Sequence, residues 1–269
     1  MNGVRLAIAG ASGRMGRALL EAAAADPGVR VTAALDMPGA AGVGRDAGEF
    51  GLAGRGLAVT SDVAAALALS DTLIDFTRPA GTLAYLAACR AARKSMVVGT
   101  TGFEPEQLDA LREGAKEVPI VFAPNFSIGV NVSLRLVELA SRALGADYDV
   151  EVFEMHHRLK VDAPSGTALK LGEVAAAARG TTLEQDGVFA RHGVTGERKA
   201  GAIGFSVARG GDIIGDHTVY FAGTGERIEI THRSQSRATY AQGALRAAKW
   251  LAGKPAGLYD MADVLGLRA

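Results

Sequence analysis

The strongest constraint on the fold lies in the first sixteen residues. Val4–Ala9 is a short apolar run that passes straight into Gly10-Ala-Ser-Gly13-Arg-Met-Gly16, and Leu19, Leu20 and Ala23 then recur at helical spacing. A strand that turns through glycines into a helix lets a pyrophosphate approach bare backbone N–H groups at the helix start. The loop is G-x-x-G-x-x-G rather than G-x-G-x-x-G, so its context decides its meaning. A second apolar strand, 29–35, ends in Asp36, 20 residues after Gly16. That is the spacing at which a dinucleotide-binding fold places the carboxylate that accepts from the adenosine ribose. Alone, Asp36 reads as a polar strand end; behind this loop it reads as a ribose ligand.

Strand and helix signals then alternate: a weak strand at 57–60, a helix from Asp62, a buried strand at 72–79 stopped by its proline, a helix at 83–92, a strand at 95–98, a helix at 104–115 and a strand at 119–123. This order predicts a Rossmann-like, doubly wound parallel sheet. Ligands of such sheets bind past the carboxyl ends of the strands. Gly10, Ala11, Ser12, Gly13, Arg14 and Met15, then Phe76 and Arg78, then Gly99, Thr100 and Thr101, then Ala123, Pro124, Asn125 and Phe126 all fall at that edge, and together they outline a dinucleotide cleft.

A long amphipathic helix over 128–144 is followed by a change of character. Strands dominate from 148 onward (148–155, 188–191, 203–209, 217–222, 227–233), separated by Gly-rich turns, which predicts a second α+β domain with a mixed or antiparallel sheet. A last helix over 238–251 carries Trp250, expected in the core, and a segment over 259–267 ends the chain. The boundaries expected are a dinucleotide domain over 1–127, to which 237–269 returns, and a substrate-binding and oligomerisation domain over 128–236.

The chemistry concentrates in Glu154-Met-His-His-Arg-Leu-Lys-Val-Asp-Ala-Pro-Ser-Gly-Thr167. In an extended chain His156 and Lys160 stand about 13 Å apart, at roughly 3.3 Å per residue; in one helical turn they are about 6 Å apart. For both to touch one small substrate the chain must curl right after His157. Ser165 is a candidate N-cap, which leaves the N–H groups of Gly166 and Thr167 as an anion site. Two readings are open on the residues alone: a proton donor with an ammonium and an anion site, or surface and capping histidines before an ordinary loop-to-helix turn. His192, His217 and His232 are expected to be structural. No metal is expected, since there is no His-Glu-x-x-His and the single cysteine excludes a cysteine cluster.

Composition narrows the partners. Acidic and basic residues balance at 29 each, without a basic block, which argues against nucleic acid or an anionic membrane. Cys89 is the only cysteine and sits in an Ala-rich run, so a core role and a reducing compartment are expected. The opening apolar run is too short for a signal peptide, and no run approaches a membrane span, so a soluble cytoplasmic protein is expected.

These motifs resemble the dihydrodipicolinate reductase (4-hydroxy-tetrahydrodipicolinate reductase) family of the bacterial lysine and diaminopimelate pathway. The similarity runs through Ala9-Gly-Ala-Ser-Gly-Arg-Met-Gly16, Asp75-Phe-Thr-Arg-Pro79, Val98-Gly-Thr-Thr-Gly102, Ala123-Pro-Asn-Phe-Ser-Ile-Gly-Val-Asn131 and Glu154-x-His-His-Arg-x-Lys-Val-Asp-Ala-Pro-Ser-Gly-Thr-Ala168, the last being highly specific. The resemblance implies an oxidoreductase that passes a hydride from NADH or NADPH to a cyclic unsaturated dicarboxylate. It implies His156 as general acid and Lys160 as second proton donor and charge partner. His157, Ser165, Gly166 and Thr167 become substrate contacts, and the residues of the cleft, with Asp36, cofactor contacts. It also implies a homotetramer built through the β-rich domain; independently, the physical reading expects closure of the two domains to bring cofactor and proton donor together and exclude water. Where family members often carry a basic residue after the ribose carboxylate, this chain has Met37, so NADH is the expected preference, with NADPH possible through Arg14. A nucleotide-sensing protein without turnover needs neither His156 nor Lys160, and a semialdehyde dehydrogenase needs an activated cysteine that Cys89 does not offer.

Overall fold

A computed structural model describes residues 3–52 and 56–268. They form two compact units, Met1–Ile128 with Arg237–Ala269, and Gly129–Ser236.

The first unit begins with β1 (Val4–Ala9), α1 (Arg14–Ala24) and β2 (Val29–Leu35). It continues through β3 (Val59–Thr60), α2 (Val63–Leu69), β4 (Thr72–Asp75), α3 (Pro79–Ala92), β5 (Ser95–Val98), α4 (Pro105–Gly114) and β6 (Pro119–Phe122). Helix α3 starts four residues before the expected 83, because Pro79 serves as its first residue, where a missing N–H costs nothing.

The second unit takes most of α5 (Ile128–Leu144), then β7 (Asp149–His156), α6 (Gly166–Ala178), the short α7 (Leu183–Asp186), β8 (Gly187–Val188), β9 (Ile203–Arg209), β10 (Gly215–Ala222) and β11 (Arg227–Ser234). The strand expected over 188–191 is only the two-residue β8. The sheet order is β11-β10-β7-β9-β8. β7 runs parallel to β9 and antiparallel to β10, which makes the sheet mixed. Val150, Val152, Phe205, Val219 and Phe221 form one core with Val137 of α5 and Leu171 and Ala175 of α6. Gly172 of α6 lies so close to the Phe205 ring that any side chain there would collide with it.

The chain then returns to the first unit as α8 (Ala238–Leu251), β12 (Gly257–Tyr259) and α9 (Met261–Leu265). β12 was not expected: it pairs in parallel with Pro119–Val121 of β6 and extends the sheet to the order β12-β6-β5-β4-β1-β2-β3. Trp250 is half-buried rather than core, its ring edge-on to Tyr259 and under the ammonium of Lys254.

Alternate strand residues feed two cores, one on each face of this parallel sheet. Leu6, Ile8, Ile74, Val97 and Val121 pack with α1 and α8 on one face. Ala7, Leu73, Met96, Val98 and Ile120 pack with α2, α3 and α4 on the other. Cys89 belongs to the second core, where burial pushes its thiol up to about 12, so it is not a nucleophile. No helix among the described residues is long and apolar enough to cross a membrane.

Candidate active site

In the first unit the chain winds outward in both directions from β1 and β4, so the crevice of the sheet lies at their carboxyl ends. The loop after β1 meets the loop after β4 there. Gly10 has φ +65°, and a Cβ on it would stand 3.0 Å from Thr77 Cγ2. Gly16 lets α1 approach the loop, since its Cβ would fall 2.7 Å from Ala11 Cα. The helix start at Gly13 has no side-chain cap, which leaves N–H donors at Arg14 and Met15 directed out of the helix end.

Asp36 closes this loop. Its carboxylate accepts from Ser12 N at 3.2 Å, from Ser12 Oγ and from Met37 N at 2.9 Å. Phe76, after β4, packs against Gly99 and tilts onto the Phe126 ring with centroids 5.3 Å apart. The ends of β4, β5 and β6 therefore form one edge. Ala11, Thr100, Ala123 and Phe126 are buried in it, and Gly13, Arg14, Arg78, Thr101 and Pro124 are exposed on it. Asn125 Oδ1 accepts from Ser127 N at 2.8 Å and shapes the turn after β6. An edge lined by backbone, with an uncapped helix start and a carboxylate at the end of β2, fits a dinucleotide.

In the second unit β7 ends at His156, and the chain curls at once: Lys160 N donates to His157 O at 3.1 Å. The turn is pinned to the segment after β9 by Gly210 N to His156 O at 2.9 Å and Arg158 N to Gly211 O at 3.2 Å. Ser165 caps α6, its Oγ accepting from Ala168 N at 3.2 Å. Gly166 is exposed, and a side chain there would meet nothing within 4 Å, so the helix start is open to an anion. Lys160 Nζ pairs with both Asp162 oxygens, at 2.7 and 2.9 Å.

Three side chains absent from the sequence-based set complete the cluster. Glu154, fully buried, hydrogen-bonds His156 Nδ1. Arg209 of β9 donates to both Glu154 oxygens at 2.9 Å. His217, expected to be merely structural, is buried with its ring edge-on to His156 at 5.0 Å, and its Nε2 is 3.0 Å from Ser165 Oγ. Burial lowers His217 to about 4, so it is neutral at ordinary pH. Burial also lowers His156, with Glu154 pulling against it and Lys160 and Arg209 adding to it. Glu154 ends below the ordinary carboxylate value: burial raises it, but Arg209, His156 and Ser165 N together outweigh that. Glu154, His156 and His217 offer ligand atoms within 4.8 Å of one another, but the Arg209 guanidinium already supplies the positive charge at that carboxylate. An imidazole, an ammonium and an open helix start brought together in this way are suited to proton transfer and to binding an anion.

Comparison with known proteins gives a consistent result. Residues 4–126 match the model for the N-terminus of dihydrodipicolinate reductase, and 129–265 the model for its C-terminus. A 4-hydroxy-tetrahydrodipicolinate reductase of Aromatoleum aromaticum is 58% identical over 98% of this chain and 96% of the relative. One of Nitrosospira multiformis is 56% identical over the full length of both. Among solved structures, a dipicolinate-bound dihydrodipicolinate reductase from Paenisporosarcina sp. TG-14 shares the fold, with a TM-score of 0.77 and 24% identity over 97% of this chain and 98% of that one.

Proposed function

The chain belongs to the dihydrodipicolinate reductase family, and from that premise we propose how its residues divide the work. It is an NAD(P)H-dependent oxidoreductase that acts as a 4-hydroxy-tetrahydrodipicolinate reductase, reducing a cyclic unsaturated dicarboxylate to tetrahydrodipicolinate in lysine and diaminopimelate synthesis. A reduced nicotinamide, when held by these residues, would supply the hydride. Gly10 to Met15 hold the pyrophosphate on their backbone, Asp36 takes the ribose, and Phe76, Arg78, Gly99 to Thr101 and Ala123 to Phe126 hold the remainder of the dinucleotide.

The second unit binds and protonates the ring. Ser165, Gly166 and Thr167 receive one carboxylate at the start of α6, and His157 adds a contact. Lys160 exchanges its exposed partner Asp162 for the negative charge of the substrate and serves as second proton donor. His156 is the general acid. The dipicolinate of the Paenisporosarcina protein, a pyridine dicarboxylate, supports an anionic ring of this class here. A bound dianion also favours the protonated imidazole, which offsets the lowering by burial. The observation that carries the assignment is that one carboxylate, Glu154, bonds both His156 and the backbone of Ser165. Loss of NADH absorbance with freshly generated substrate tests the activity. His156→Gln should lower kcat by about 10²–10⁴-fold and KM little; an unchanged kcat removes His156 from the mechanism.

NADH is the preferred donor. Asp36 repels a 2′-phosphate, and Met37 beside it, 67% exposed, offers no cation. The kcat/KM for NADH should exceed that for NADPH by about tenfold, one step of 1.4 kcal/mol, and a clear NADPH preference overturns this. The protein works in the cytoplasm as a homotetramer built through the second unit. Supporting this, the middle strand β7 presents Phe153, 37% exposed, on the face opposite its core residue Val152. Sedimentation at a single-chain mass would refute the assembly.

A further inference from the structure

The reading of His156 as proton donor leaves open which ring nitrogen delivers the proton and what keeps the ring in place. Glu154 and His156 are two apart on β7, so their side chains leave the same face of the strand. Every oxygen of the buried Glu154 is engaged. Oε1 accepts from Ser165 N at 3.0 Å and Arg209 Nη2 at 2.9 Å, while Oε2 faces His156 Nδ1 and accepts from Arg209 Nη1 at 2.9 Å. Arg209 is itself tied to the loop between β7 and α6, donating to Asp162 O at 2.6 Å, and it also donates to Ala208 O at 2.7 Å. A charged acceptor so held can take only a hydrogen-bond donor at Nδ1. Beside the other nitrogen stands Gly215, where a Cβ would come 2.9 Å from His156 Nε2, so the glycine keeps a side chain off that nitrogen.

We infer that Glu154, clamped by Arg209, is the positioning residue of the proton donor: it keeps a proton on Nδ1 of His156 and so commits Nε2 to deliver the catalytic one. Through Ser165 N the same carboxylate fixes the distance from that ring to the anion-binding start of α6. In the step, hydride adds to one carbon of the ring's conjugated unsaturation, and the His156 imidazolium gives its Nε2 proton to the neighbouring carbon of the enamine so formed. The neutral imidazole keeps Nδ1–H on Glu154, and the carboxylate takes no proton. The charged and titrating groups facing the imidazole are Glu154 on its own strand, Arg209 from β9, His217 from β10 and Lys160 from the loop. Glu154 alone favours the cation, burial and the other charges oppose it, and His217 is neutral.

The inference rests on the proposed role of His156, and two measurements separate the two. The first is ¹⁵N NMR of the histidine rings in the intact wild-type protein, above the pH at which His156 loses its charge. The proton should be on Nδ1; finding it on Nε2 overturns the inference without reference to turnover. The second is the pH profile of kcat for Glu154→Gln. The acid must be protonated, so activity falls on the alkaline side. Without the Glu154 charge that fall should move to lower pH by about 1 unit or more, with kcat at pH 8 down at least about tenfold. Glu154→Asp should restore part of the shift. A purely structural Glu154 lowers the whole profile without moving it, which sinks the inference while a dead His156→Gln still upholds the donor. A fully active His156→Gln sinks the donor itself. If Glu154→Gln does not fold, the wild-type NMR decides alone.

Discussion

Asp75 and Glu154 are both fully buried carboxylates on strands, one in each unit, yet their surroundings drive them in opposite directions. Asp75, at the end of β4, has only neutral donors: Thr77 N at 2.9 Å, Thr77 Oγ1 at 2.6 Å and Thr82 Oγ1 at 2.5 Å. Burial raises it above the ordinary carboxylate value, and the hydroxyls only partly offset that. Glu154 meets the same burial but also a guanidinium, and falls below the ordinary value. Neutral hydrogen bonds satisfy a buried acid without holding its charge, whereas a cation holds the charge as well. Asp75 therefore shapes a turn in the dinucleotide unit, and Glu154 can act electrostatically on a titrating ring.

The largest effect should come from Arg209→Met. It leaves an ionised carboxylate buried without its cation, a loss of about 3–5 kcal/mol, readable as the unfolding free energy at pH 7. A loss below about 1 kcal/mol would mean that Glu154 does not depend on Arg209. Next comes His217→Gln. His217 is depressed from 6.5 to about 4, so its contribution to stability is present above 6.5 and disappears as pH falls toward 4. That difference is worth about 3 kcal/mol at 1.36 kcal/mol per pH unit. The wild type should lose that much more than the variant across this window, and parallel curves would show that His217 is not held neutral.

What could be read from the sequence followed the reach of local patterns. The glycine loop with Asp36 is a local motif, and α5 and α8 have strong 3.6-residue periodicity, so their bounds were legible. β12 was not, because Gly257–Tyr259 is too short for any period and owes its strand state to pairing with β6. Around the candidate site, the places of His156 at a strand end and of Ser165 at a helix start were legible, each declared by its near neighbours. Arg209 and His217 were not, since they reach the site only through the register of β7 with β9 and β10, Arg209 opposite His156 and His217 opposite Glu154. Glu154 stood inside the motif, but nothing in its spacing revealed that it was buried against a cation. The alternation of charged and apolar residues along β7 gave the faces of the strand only as far as Val152, since beyond it the buried positions are Glu154 and His156 and the apolar Phe153 and Met155 lie on the other face.

The smallest effect tests the comparison most directly. Asp75→Asn keeps the shape of the side chain and removes a charge that its surroundings do not favour, so stability at pH 7 should change by no more than about 1 kcal/mol. The pH trend carries the information. A carboxyl raised in the fold contributes stability fully below its unfolded value of 3.8 and loses it as pH rises through the folded value. Glu154, depressed in the fold, contributes above 4.5 and loses that contribution as pH falls. On going from pH 7 to below 4, the advantage of wild type over Asp75→Asn should therefore grow, while its advantage over Glu154→Gln should shrink. If both change in the same direction, burial alone sets the two carboxylates, and the guanidinium is not what distinguishes them.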